Sequence, residues 1–184
     1  MIILNSLENI PDLNEPIALT IGTFDGVHLG HQHLFQELKK HGSPVVLTFS
    51  NHPSEILLSR PSEPILTLSE KLELFEKFGI EMAIVIPFTH ELSQIPYKEF
   101  LKKLKFSTLI GGEDMRIGAH GEGNQTALTT LGLNIIFLPK FTINGITISS
   151  RLIRDYIKTY QFDKAQKLLG HNKGSLWLDS RVES

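Results

Sequence analysis

Cysteine is absent from this chain. That removes disulfide bridges and thiol nucleophiles, and it takes away the usual soft ligand of a structural zinc centre. An excess of one charge sign is missing as well. The 18 Lys and Arg against 20 Asp and Glu leave a formal net charge of −2. Apart from Lys39–Lys40 and Lys102–Lys103 the basic residues are scattered, so no basic field exists to follow a phosphate backbone, and DNA or RNA is excluded as the main partner. No apolar run approaches the roughly 20 residues of a membrane-spanning helix, and residues 1–9 have neither the basic start nor the apolar centre of a secretion signal. The expectation is a soluble cytoplasmic protein with no membrane partner, and homo-oligomerisation is left open. Internal repeats and low-complexity tracts are also lacking. With 184 residues, 41% of them hydrophobic, the chain has material for one substantial core and too little for a second domain.

What is there alternates regularly. Short apolar runs rich in branched residues, at 17–21, 44–49, 82–86, 108–110 and 133–138, read as buried parallel strands. Amphipathic stretches lie between them. Gln32 to Lys40 is helix-like; Ser69 is placed to cap a helix with Leu72, Phe75 and Phe78 on one face and Gly79 at its end; Pro96 opens another through Phe100, Leu101 and Leu104. This order predicts an α/β fold, a Rossmann-like doubly wound parallel sheet in a single domain, with its binding crevice at the carboxyl ends of the strands. The stretch from Pro53 to Pro64, with three prolines and no period, reads as a mobile loop beside that crevice.

The first strand runs directly into Gly22-Thr-Phe-Asp-Gly-Val-His28-Leu-Gly30-His31. A strand, a glycine-rich turn and a helix leave backbone N–H groups and the positive end of a helix dipole facing outward, which suits polyphosphate. His28 and His31 are three apart, with Gly30 between them leaving room for an anion. Two histidines at this spacing are also compatible with zinc, but there is no cysteine and no carboxylate at a matching offset. A purely structural glycine turn is the other bland alternative. A second constellation, Ile148-Ser149-Ser150-Arg151-Leu152-Ile153-Arg154, leads from a strand end into a helix that Ser149 or Ser150 can cap. Arg154, one turn in, carries a permanent charge able to fork onto two phosphate oxygens. Two more stretches follow strands: Thr48-Phe49-Ser50-Asn51-His52-Pro53 and Gly112-Glu113-Asp114-Met115-Arg116-Ile117-Gly118.

Together these strings resemble the bacterial FAD synthetases, the FMN adenylyltransferase module of the bifunctional riboflavin kinase/FAD synthetase family within the His-x-Gly-His nucleotidylyltransferase superfamily. The resemblance departs at Arg151 and Leu152 (Thr-Arg in the family), at Asn51 (Pro), and at Met115 and Ile117 (both Phe). It implies ATP plus FMN giving FAD plus pyrophosphate, by direct in-line attack of the FMN phosphate on the α-phosphorus. His28, His31 and Arg154 are the implied catalytic set. Gly22, Thr23, Phe24, Gly30, Ser149, Ser150 and Arg151 are implied on ATP; Phe49, Asn51, His52, Asp114 and Arg116 are implied on FMN. Mg²⁺ is expected with ATP, and no protein ligand for it can be named. The implied domain covers residues 1–170, followed by a divergent tail, 171–184, too short for a riboflavin kinase domain, so riboflavin itself is expected to be left unphosphorylated. Two alternatives stay open: another transferase of this superfamily, acting on pantetheine phosphate, nicotinamide mononucleotide or glycerol phosphate, and a non-catalytic nucleotide- or flavin-binding descendant.

Overall fold

The computed structural model describes residues 1–59, 61 and 63–172. Its elements in chain order are β1 (Ile2–Leu4), β2 (Ile17–Ile21), α1 (Leu29–Leu38), β3 (Ser43–Phe49), α2 (Pro53–Leu57), α3 (Leu68–Lys77), β4 (Met82–Ile86), α4 (His90–Ser93), α5 (Tyr97–Lys102), β5 (Thr108–Gly112), α6 (Gln125–Thr129), β6 (Ile135–Leu138), β7 (Thr142–Ile143), β8 (Ile146–Thr147), α7 (Ser150–Lys158) and α8 (Phe162–Leu169). The first six strands form one sheet in the order β1-β4-β3-β2-β5-β6, every pair parallel. This is the Rossmann-like doubly wound fold that the alternation predicts.

Strand residues divide between the two faces by parity, because successive side chains point to opposite sides. Ile17, Leu19, Val45, Leu47, Met82, Ile84 and Ile86 pack with Phe100, Leu101 and Leu128 on one face. Ala18, Val46, Ala83, Val85 and Ile110 pack with Phe35, Leu38, Phe75, Ile153 and Leu169 on the other. Ala18 and Ala83 keep the second face shallow, so α1 and α3 can press their aromatic rings onto it. Phe24, Phe35 and Phe75 meet there with ring centroids 5.4–5.8 Å apart, Phe75 edge to face with both others.

Chain direction fixes the crevice. From β2 the chain moves to β3 on one side, and later returns to lay β5 on the other side of β2. The loops after β2 and β5 therefore part from each other at the strands' carboxyl ends, which is where open α/β sheets bind ligands.

Several boundaries differ from the sequence expectation. Helix α1 starts at Leu29 rather than Gln32, because His28 itself is the N-cap, its Nδ1 accepting from the His31 amide at 3.4 Å. Thr67, not Ser69, caps α3. Thr67-Leu-Ser-Glu70 is a complete capping box, the Thr67 hydroxyl accepting from the Glu70 amide and the Glu70 carboxylate from the Thr67 amide, whereas Ser69 has Leu72 three residues on and no such partner. The segment predicted as a loop from Pro53 contains helix α2, which Pro53 opens and His52 caps. The hairpin β7–β8 turns through Asn144 and Gly145, both at positive φ; Asn-Gly is the preferred pair for such a turn.

Phe35 is fully buried beneath the turn at the end of β2, at the centre of the aromatic cluster. Phe35→Ala should cost about 3–5 kcal/mol, since the rigid sheet cannot collapse into the space left. Urea unfolding followed by circular dichroism measures this, and a loss below about 1 kcal/mol would show that the cluster does not organise this face.

Candidate functional site

The turn after β2 folds tightly. Phe24, Gly26 and Val27 all take positive φ, at 49°, 83° and 41°, and a β-branched residue such as Val27 rarely accepts this. Three fixings hold it. Asp25, 5% exposed, accepts at Oδ1 from the amides of Ile65 (2.8 Å) and Leu66 (3.4 Å), and at Oδ2 it is ion-paired with Arg154. Gln32 Nε2 donates to the carbonyls of Val27 (2.8 Å) and Leu169 (2.7 Å). His171 Nε2 lies 2.8 Å from the Gly26 carbonyl. Residue 171, assigned by sequence to the tail, is thus packed against the turn, while residues 173–184 lie outside the described residues.

This turn presents the histidines. His28 and His31 are stacked, with ring centroids 3.6 Å apart and planes 17° from parallel. Because His28 Nδ1 is an acceptor, the proton of its neutral ring sits on Nε2. Burial pushes its pKa down to about 4. His31 is also held well below the ordinary value by burial, then by its neighbours His28 and Lys71, and its Nδ1 is buried without a partner among the described residues. Both rings are therefore neutral near pH 7. Gly30 leaves room for this stack, since a Cβ there would come within 3.2 Å of the His28 ring and press it to shift.

His28, Gly30 and His31 line a cleft of about 660 Å³ together with Gly22, Thr23, Phe24, Ser149 and Ser150. Two helix N-termini meet at it, α1 capped by His28 and α7 capped by Ser149, whose hydroxyl accepts from the Leu152 amide at 3.2 Å. First-turn amides beyond those caps have no intrahelical acceptor, and both dipoles turn their positive ends to the same space. Ser150 Oγ donates to the Asp25 carbonyl at 2.7 Å. The two motifs, 125 residues apart in the chain, are thereby joined directly. The lining also includes Asp114, Arg116 and Lys140, with Lys140 Nζ 3.7 Å from the Asp114 carboxylate.

A second cleft, about 340 Å³ and mostly apolar, is lined by Phe49, Leu57, Phe88, Phe100 and Ile117. It shares Ile21, Gly22, Thr23 and Arg116 with the first. A third, smaller hollow of about 120 Å³ holds Asp25, Asn51, His52 and Lys71.

The structure distributes the sequence-nominated residues unevenly over these spaces. Phe49 and Arg116 line the apolar cleft. Asp114 belongs to the large one instead. Asn51 and His52 face the small hollow with their polar atoms engaged: Asn51 bonds both backbone groups of Phe88, at 2.8 and 3.0 Å, and His52 Nδ1 accepts from the Ser54 amide at 3.2 Å. Arg154 lines none of the three and turns to Asp25, and Arg151 is exposed on the outer side of α7.

Sequence reasoning missed three polar residues. Asp25 lies inside the first motif yet reads as part of a turn. Lys71 is buried, its Nζ donating to Thr23 O (3.1 Å), Thr48 Oγ1 (3.0 Å) and Phe49 O (3.1 Å); its signal is a lysine on the same stripe of α3 as Phe75 and Phe78. Lys140 follows a strand end without any motif. Among the described residues no group of three or more His, Asp or Glu could hold a metal ion, and no helix is long and apolar enough to cross a membrane.

Comparison with known proteins gives these features a context. The family model described as FAD synthetase matches residues 10–152. The bifunctional riboflavin kinase/FMN adenylyltransferase of Buchnera aphidicola subsp. Schizaphis graminum is 31% identical over 186 residues, covering 92% of this chain and 60% of that protein. The chain thus spans about 60% of that relative's length. Among solved structures, one from Streptococcus pneumoniae described as a macrolide-efflux protein superposes with a TM-score of 0.78 at 24% identity, covering 92% of this chain and 61% of that one. A pantoate-beta-alanine ligase from Francisella tularensis gives 0.59 at 15% identity, covering 84% and 73%. Both structural likenesses are of fold.

The buried imidazole has a consequence for stability. The unfolded chain protonates residue 28 near pH 6.5 and the folded chain only near 4, so the unfolded state holds more protons between these values and stability falls as pH falls through them. The loss from His28 should reach about 3 kcal/mol at most. His28→Asn keeps a capping oxygen but removes the titration, so urea midpoints between pH 7 and 4 should drop less steeply in the variant. Parallel curves would show that His28 is not held neutral.

Proposed function

The chain belongs to the FAD synthetase family, and from that premise we propose that it transfers the adenylyl group of ATP to FMN, forming FAD and releasing pyrophosphate. One observation carries the reading. Two helix N-termini and a stacked histidine pair face a single large cleft, and that cleft shares the Ile21–Thr23 turn and Arg116 with an apolar cleft of a size for an aromatic ring system. The first suits a triphosphate; the second suits a flavin.

In the proposed reaction an oxygen of the FMN phosphate bonds to the α-phosphorus of ATP as the bond from that phosphorus to the β-phosphate oxygen breaks. A phosphate monoester is largely dianionic near pH 7, so no residue has to remove a proton. The protein's task is to hold two anions in line and to stabilise charge on the α-phosphoryl oxygens and the departing pyrophosphate. Helix α1 supports His28 and His31 in this role, and the Nε2 proton of neutral His28 is a donor fixed in direction by its own cap. Anion binding would also raise the depressed histidine pKa values, drawing positive charge in as it is needed. Ser149, Ser150 and the first turn of α7 serve the phosphates, with Gly22 to Phe24 beneath the nucleotide. Arg154 is assigned to the pyrophosphate, which it reaches by turning from Asp25 toward the large cleft. Phe49 is proposed to floor the isoalloxazine ring, with Arg116 between the two substrates. Asn51 and His52 shape the flavin side through the backbone bonds already described. ATP enters as its Mg²⁺ complex, the metal held mainly by phosphate oxygens and water.

Purified protein incubated with FMN, ATP and Mg²⁺ should yield FAD and pyrophosphate, resolved by chromatography. Adenylylation of pantetheine phosphate or nicotinamide mononucleotide in place of FMN would overturn the substrate assignment. His31→Ala should lower kcat by ~10²-fold or more while ATP binding stays measurable; near-normal turnover would remove His31 from the mechanism. In α7, Arg154→Lys keeps the charge but loses the fork and should cost on the order of 10-fold in kcat/KM, whereas Arg151→Thr on the exposed side should change little. Steady-state kinetics of the two variants decide which arginine serves the reaction.

A further inference from the structure

Lys71 is the buried charge that the proposed reaction does not use. It is 8% exposed, and all three of its ammonium hydrogens are directed to neutral oxygens: the Thr23 carbonyl, the Thr48 hydroxyl and the Phe49 carbonyl, at 3.0–3.1 Å. Its opposite charge, Asp25, acts through space only, because that carboxylate is occupied by Arg154 and the amides of Ile65 and Leu66. Burying an ammonium without a contacting carboxylate is expensive. A neutral side chain could not replace it, since no other side chain offers three donors from a single atom.

The acceptors say what the charge accomplishes. Thr23 lies in the turn common to both clefts, and Phe49 is one of the aromatic residues of the apolar one. Resting on the function proposed above, we infer that Lys71 is a positioning residue for the transfer: it ties the nucleotide turn to the flavin floor and so fixes the separation of the two substrates. Since both ends of the tie are backbone carbonyls, the spacing depends on the rotamer of Lys71 and not on those of Thr23 or Phe49. In-line phosphoryl chemistry depends steeply on this spacing, and a misplacement of about 1 Å costs as much as 10²-fold.

Burial lowers the Lys71 pKa to about 8, with Asp25 opposing the shift. Facing it are Asp25 and His31 from the turn and α1, and His52 and Glu55 from the start of α2. The two histidines are already held below their ordinary pKa, so an alkaline limb near pH 8 reports on the lysine.

Lys71→Met is the test, with Lys77→Met, exposed on the same helix, as control. In Lys71→Met, kcat for FAD formation should fall ~10- to 100-fold with KM for ATP within about threefold, and the alkaline limb should disappear from the kcat profile. Lys77→Met should match the wild type. Amide hydrogen exchange in the free proteins reads the tie without any turnover: Lys71→Met should exchange faster at 22–27 and 49–52 together, with β4 and β5 unchanged. Unchanged exchange in those two segments overturns the inference, and so does an unchanged kcat in an active enzyme. A wild type that makes no FAD overturns the proposed function instead, and the exchange result then decides on Lys71 alone. Faster exchange throughout the sheet would mark Lys71 as a general stabiliser and overturn the positioning role.

Discussion

Asp25 sits where three distant parts of the chain come together. Its carboxylate takes two amides from the segment leading into α3 and the guanidinium of Arg154 from α7, and its carbonyl takes the hydroxyl of Ser150. Each bond is to a buried or half-buried group, so none can be exchanged for water without leaving a desolvated donor. A turn with three residues at positive φ is not a conformation that a free loop would populate for long. It persists because this carboxylate, with Gln32 and His171 behind it, leaves the backbone no alternative that satisfies the same donors.

The histidine pair and both helix N-termini inherit their geometry from that arrangement. Were the turn to relax, His28 would no longer cap α1, the stack with His31 would open, and α7 would lose its register against the cleft. The electrostatics follow the same logic. The cleft holds neutral imidazoles and the N-termini of two helices, with Arg116 and Lys140 in its lining. Such an environment is poised for an anion and requires little reorganisation when one arrives.

Much of this was legible before any coordinates. Continuous branched runs such as Met82–Ile86 required a sheet covered on both faces, and residues 82–86 are buried without exception. The strand-turn-helix context of Gly22–His31 located the turn that lines the large cleft. Local chemistry was misread where two signals competed. Ser69 looked like a cap until Thr67 and Glu70 closed a box two residues earlier, and the Asn144–Gly145 turn, a hairpin signal, was lost between longer elements. Helix α2 hid among prolines because Pro53 at a first helical position initiates rather than breaks.

The sequence by itself determined the alternation of the main strands and helices and the glycine-rich turn that joins β2 to α1, because each depends on periodicity and neighbours within a few residues. It could not determine the company those residues keep. That Arg154 turns to Asp25, that Asn51 spends its amide on Phe88, that Asp114 stands on the wall of the nucleotide-sized cleft, and that a lysine within an amphipathic stripe reaches two strand ends are outcomes of packing. Partners tens of residues apart are chosen by which donors and acceptors the closed sheet leaves buried together, and only the tertiary structure fixes that set.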